Sequence, residues 1–91
     1  MSPKFELGQV VGTPAALQAL EESGQDLAFF LEKHASSDWG DVCPEDQRAN
    51  DQALRDGGRL VSLYMTLRGE AILIITEYVR SVTTLMLAEE Y

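Results

Sequence analysis

The chain reads as a single α+β domain spanning residues 1–91: a short N-terminal strand, three helices, then a three-stranded antiparallel β-meander with the helices packed on one face. Three observations predict this class. Between Thr13 and Gly57 apolar residues recur at three-and-four spacing, the repeat of a helix buried along one side. From Arg59 onward the repeat changes to two, which is that of a strand. The 91 residues, 45% hydrophobic and 24% charged, suit one compact core, because a chain of this size buries only about 60 to 65% of its unfolded surface.

Each element has a local cause. Phe5, Leu7 and Gln9 to Val11 alternate loosely between Gly8 and Gly12, predicting a short opening strand that ends in a turn. Thr13 followed by Pro14 is an N-cap with proline at the first helical position. Ala16, Leu17 and Leu20 then share a face until Ser23-Gly24 stops the helix. Asp26 caps a second helix, in which Leu27, Phe30, Leu31 and His34 fall at i, i+3, i+4 and i+7, so the histidine closes the apolar stripe. Ala35 to Val42 is polar and reads as a loop, with Trp39 and Val42 tucked inward as anchors. Pro44 opens a third helix, where Glu45 and Asp46 meet the positive end of the helix dipole. Its apolar face is thin (Ala49, Ala53, Leu54), Asp51 and Arg55 are spaced to pair, and Gly57-Gly58 ends it.

In the meander, Val61, Leu63, Met65 and Leu67 share one face of the first strand, with Leu60, Ser62, Tyr64 and Thr66 on the other. Arg68-Gly69 forms a hairpin turn. Ala71 to Glu77, apolar on both faces for five residues, suits a central strand, and Tyr78 to Arg80 turns the chain into a last strand, Ser81 to Leu87. If the helices cover Leu73 and Ile75, then Ile72, Ile74 and Tyr64 are left on a free face, which a second copy or another protein would cover.

Charge narrows the function. Fifteen carboxylates against seven Lys and Arg give a net charge of −8, a field that repels phosphate backbones and anionic membrane surfaces, so nucleic acid and membrane are disfavoured as partners. The start, MSPKFELG, has no basic run followed by an apolar core, and the longest apolar run, Ala71 to Ile75, is far short of a membrane span. The expected location is cytoplasmic, which the single cysteine fits.

The stretch HASSDWGDVCPEDQRAND, from His34 to Asp51, holds the only histidine, tryptophan and cysteine together with five carboxylates. As a nucleophile Cys43 would gain from its place at a helix start, but Asp41, Glu45 and Asp46 disfavour a thiolate. His34, Asp38 and Asp41 could supply a nitrogen and two oxygens to a metal, yet neither HExxH spacing nor the calcium-loop pattern is present. No catalytic residue, metal site or cofactor is therefore assigned. The expected binding residues are Trp39, Asp38, Asp41 and His34. The order of elements resembles that of small bacterial ribonuclease toxins, but such enzymes need a basic surface, and the meander offers only Arg59, Arg68 and Arg80, read as surface residues or partners of Glu70 and Glu77.

At FELGQVVGTPAALQALEESGQ, HASSDWGDV and IITEYVRSVTTLMLAEEY the chain resembles a family of short bacterial proteins described as plasmid-related, and the similarity runs along the whole length. The family pattern has an aromatic near Leu73, a different pair at Tyr78-Val79 and a proline at Ala88, and it lacks Cys43. The resemblance implies association with plasmids and other mobile elements and carries no functional residues over to this chain. The expected function is a non-enzymatic protein-interaction or regulatory module, acting on an unknown protein partner through Ser36 to Asp51 and in a homodimer through the free sheet face. The alternative is a small enzyme or ligand-binding domain using the His34, Asp38 and Asp41 region.

Overall fold

The structure, a computed structural model, describes residues 3–91. The chain is α+β. Strand β1 (Gln9–Gly12) precedes helices α1 (Pro14–Ser23), α2 (Leu27–Ala35) and α3 (Pro44–Asp56), which lead into strands β2 (Leu60–Met65), β3 (Ala71–Thr76) and β4 (Val82–Leu87) and a closing 3-10 turn, Ala88–Glu90. The helix ends are those the sequence encodes. The Thr13 hydroxyl accepts the Ala16 N–H, and Gly24 closes α1 in the left-handed region. The Asp26 carboxylate accepts the Ala28 N–H at 3.0 Å. No helix among the described residues is long and apolar enough to cross a membrane.

The sheet corrects the expected meander. It has four strands in the order β1-β4-β3-β2 and is mixed: β2, β3 and β4 run antiparallel, and β1 lies parallel beside β4. After α3 the chain enters the sheet at its far edge and works inward, so its last strand lands against its first. The junction is held at both ends, by Gln9 N–H donating to the Ser81 carbonyl and Thr13 N–H to that of Leu85, each at 3.0 Å. Gly8 is required here. Its backbone has φ of 67°, and a Cβ would collide with the Ser81 carbonyl.

The placement of the helices is corrected too. Ala16, Ala19, Leu20 and Phe30 from α1 and α2 pack with Tyr64, Ile72, Ile74 and Leu85 in one core, so the residues assigned to a free face are those the helices bury. The opposite face carries Val61, Leu63, Leu73, Thr84 and Met86, all half-buried. The reversal has a physical reason. The helix-covered face is also the one with Ser62, Thr76 and Thr83, whose hydroxyls look solvent-directed in sequence, but a buried histidine bridges Ser62 and Thr76, and Thr76 bonds directly to Thr83.

Helix α3 does not join α1 and α2 on that face. It packs along the outer edge of β2, and the residue it buries is Asn50, whereas Ala49 is exposed. Asn50 Nδ2 donates to the Val61 carbonyl at 2.7 Å and its Oδ1 accepts the Val61 N–H at 3.1 Å, so one side chain satisfies both outward-pointing backbone groups of that edge residue. At the chain's end, the Glu90 carboxylate accepts the Leu87 N–H at 2.8 Å and the Thr13 hydroxyl at 2.7 Å, tying the closing turn to the start of α1. Those two bonds hold the Glu90 carboxyl below its ordinary range.

Candidate functional site

The stripe of α2 delivers His34 into the core, where it is fully buried. Its Nδ1 lies 2.6 Å from the Ser62 hydroxyl and its Nε2 2.9 Å from that of Thr76. Thr76 is 2.7 Å from the Thr83 hydroxyl, which donates to the Leu7 carbonyl at 2.7 Å. That last acceptor sets the direction of the whole chain. Because Thr83 gives its proton to Leu7, it accepts from Thr76, which in turn accepts from Nε2–H, leaving Nδ1 to accept from Ser62. The neutral imidazole with its proton on Nε2 satisfies every member. Burial, helped by the nearby Arg80 guanidinium, pushes the His34 pKa down to about 4.

Beside His34 the loop between α2 and α3 is fastened by Trp39, which is 2% exposed. Its ring stacks on Phe5 with centroids 6.2 Å apart and meets His34 edge-on at 5.8 Å. The indole Nε1–H reaches across to the Asp51 carboxylate of α3 at 3.0 Å. Its backbone extends the sheet: Leu63 N–H donates to the Trp39 carbonyl at 3.0 Å and Asp41 N–H to the Leu63 carbonyl at 2.7 Å, so Gly40 lies parallel beside β2. Only glycine fits at that point, because a Cβ on Gly40, with φ of 75°, would strike the Leu63 carbonyl and the Tyr64 ring. The Tyr64 hydroxyl donates to the Asp38 carbonyl from within the core, and burial raises its pKa to about 12.

The four expected binding residues thus divide. His34 and Trp39 face inward and are consumed by hydrogen bonds, whereas Asp38 and Asp41 face solvent. Asp38 lies 3.6 Å from Lys33 Nζ and accepts the Gly40 N–H at 3.3 Å. His34 does not converge with the two carboxylates, and among the described residues no three His, Cys, Asp or Glu side chains are grouped to hold a metal ion. Cys43 is exposed at the N-cap of α3 and makes no side-chain capping bond. What the junction presents outward is carboxylate: Asp38, Asp41, Glu45, Asp46 and Asp51 are all exposed. Asp51, expected to pair with Arg55, instead receives the tryptophan.

Sequence reasoning missed two structural residues here. Asn50 looks like any polar helix residue. Arg80, read as a surface residue or a partner of Glu77, instead takes a left-handed backbone with φ of 58° and turns its guanidinium back over the fold. It donates to the carbonyls of Gly58 at 2.5 Å, Glu77 at 3.1 Å and Ala53 at 3.1 Å, and it lies 5.7 Å above the Phe5 ring. The β3–β4 turn is thereby pinned to the end of α3 and to the N-terminal segment. Nothing in the spacing of Arg80 signals this.

Comparison of the chain with protein-family models, with curated proteins and with solved structures finds no match.

Proposed function

We propose that the protein is a non-enzymatic interaction module that docks an acidic surface onto a basic surface of another protein. The observation that carries this reading is the way the junction is held. Its carboxylates stand on a loop and a helix start fixed from beneath by the buried Trp39, by the strand-like pairing of Trp39 to Asp41 with β2, and by Asn50. A charged surface fixed before binding loses little conformational freedom on docking, and complementary charge steers the encounter. Of the chemistry-bearing side chains at this place, His34, Trp39 and Tyr64 are taken up by hydrogen bonds within the fold, and Cys43 is exposed. A regulatory role toward a nucleic-acid-binding protein fits such a surface, since it can occupy the basic patch that would otherwise hold phosphate. Carriage on plasmids or other mobile elements, and a cytoplasmic location, belong to the same proposal.

A pull-down from host lysate tests it, with three baits compared at low and at ~0.5 M salt. The wild type should retain a basic protein that is lost at the higher salt. Asp41→Lys/Glu45→Lys/Asp46→Lys should lose it at both, while Glu21→Lys/Glu22→Lys, on the exposed end of α1, should retain it. Capture that resists salt, or that both charge-reversed baits share, refutes the reading.

A further inference from the structure

The two edges of the sheet are treated differently. The β2 edge is sealed, with Val61 bonded by Asn50 and Leu63 by the backbone of Trp39 and Asp41. Among the described residues, no backbone hydrogen bond is made to the outer side of β1. Gln9 and Thr13 direct their N–H groups at β4, so by the alternation of a parallel ladder the N–H and C=O of Val10 and Gly12 point outward. Around that edge stand three exposed aliphatic side chains, Val10 at 37%, Val11 at 39% and Leu17 at 43%. From Leu7 to Leu20 no residue is charged, in a chain whose net charge is −8.

We propose that β1 pairs antiparallel with β1 of a second copy across a two-fold axis at Val11, joining two four-stranded sheets into one of eight. The geometry selects both occupant and register. Two copies of net charge −8 repel wherever their acidic surfaces meet, so self-association is favoured along the segment from Leu7 to Leu20, which has no charge of its own and meets carboxylates only beyond β1, Glu90 at the Thr13 hydroxyl and Glu22 at Gln18. With Val11 opposite Val11, each Val10 faces Gly12 of the other copy, and the outward backbone groups of these two residues are the ones that exchange hydrogen bonds. Gly12 has no side chain on that face, and the space beside it is bordered by Leu17, whose Cδ2 would lie 3.0 Å from a Cβ at Gly12. Val10 of one copy therefore reaches Leu17 of the other, and all three exposed aliphatic residues are covered by one operation. The pairing is isologous and closes at two copies. It also leaves the acidic β2 edges at the two far ends, so it is independent of the proposed docking surface.

Sedimentation equilibrium of the full chain from low micromolar to ~1 mM decides this, together with amide exchange. A dimer is expected, tightening as NaCl is raised because screening reduces repulsion between the copies, the reverse of the salt response expected for a basic partner. Val11→Asp should weaken it by at least about ten-fold by setting like charges face to face, while Val79→Asp, on the exposed β3–β4 turn, should leave it unchanged. Independently of any variant, the Val10 and Gly12 amides of the wild type should exchange more slowly at high than at low concentration. A monomer across the range, a dimer indifferent to Val11→Asp, or a dimer whose Val10 and Gly12 amides stay unprotected overturns the proposal.

Discussion

At the scale of single residues, His34 is the most informative, because a fully buried imidazole with both nitrogens bonded couples stability to pH. Free in the unfolded chain it takes a proton near 6.5, whereas in the fold it resists until about 4. Between those values the unfolded state holds more protons, so stability is complete above 6.5 and falls as pH is lowered toward 4, by about 3 kcal/mol if the whole shift is realised. Protonation would also turn Nδ1 into a donor and reverse the Ser62 hydroxyl. Urea unfolding followed by Trp39 fluorescence should show this loss between pH 7 and 4.5. His34→Gln should flatten that pH dependence and cost about 2 kcal/mol at pH 7, since the Ser62 and Thr76 hydroxyls lose well-aligned partners. An unchanged pH slope in the variant would place the acid sensitivity elsewhere, for instance at Glu90. The spacing of α2 put His34 at the end of the apolar stripe, but the sequence also grouped it with Asp38 and Asp41 as a binding residue, which its full burial corrects. Its partners were not legible in sequence, because Ser62, Thr76 and Thr83 come from three strands, and a hydroxyl in an alternating strand has the same pattern whether it faces solvent or a buried acceptor.

At the scale of elements, what could be read is what is local. The caps Thr13, Asp26 and Gly24, the two helix-opening prolines and the change of period at Arg59 all act within a few residues, and each appears where expected. What could not be read is pairing over long separations. β1 finds β4 some seventy residues later, and no periodicity in either segment distinguishes that neighbour from another. The edge of β2 was hidden for the same reason: its covering groups come from the α2–α3 loop and the middle of α3. That edge offers a graded test. Asn50 is nearly buried and serves two backbone groups, whereas Asp51 is exposed and serves one indole. Asn50→Ala should therefore destabilise the fold by about 2 kcal/mol and Asp51→Ala by about 1 kcal/mol or less. Hydrogen exchange should show the Val61 amide losing protection in the first variant alone. A larger cost for Asp51→Ala would mean that the tryptophan, and not the asparagine, carries the attachment of α3.

At the scale of the whole molecule, charge and apolar surface are segregated across the sheet. The carboxylates of the α2–α3 junction and α3 lie beside β2, and the segment from Leu7 to Leu20, which carries no charged residue and spans β1 and most of α1, lies at the other edge. Such an imbalance is tolerated in the fold without much compensation, since among the described residues the one ion pair is Lys33 with Asp38, 3.6 Å apart and with both side chains exposed. An exposed pair of this kind contributes little, and screening it removes little. The larger electrostatic quantity is the mutual repulsion of a net charge of −8 on 91 residues, which works against the compact state and weakens as the Debye length shrinks from about 20–30 Å in dilute buffer to below 8 Å. Added salt should therefore stabilise this protein. Thermal melts at pH 7 should shift upward by a few degrees between dilute buffer and ~0.3 M NaCl, the scale being about 4 to 8 °C for each kcal/mol in a domain of this size. Sodium and potassium chloride should act alike, which separates screening from specific ion binding, and the melts should be run dilute enough that self-association through β1 does not add to the shift. A fall in melting temperature would show that attractive charge contacts outweigh repulsion, and the acidic junction would then be a balanced surface and not one held ready for a basic partner.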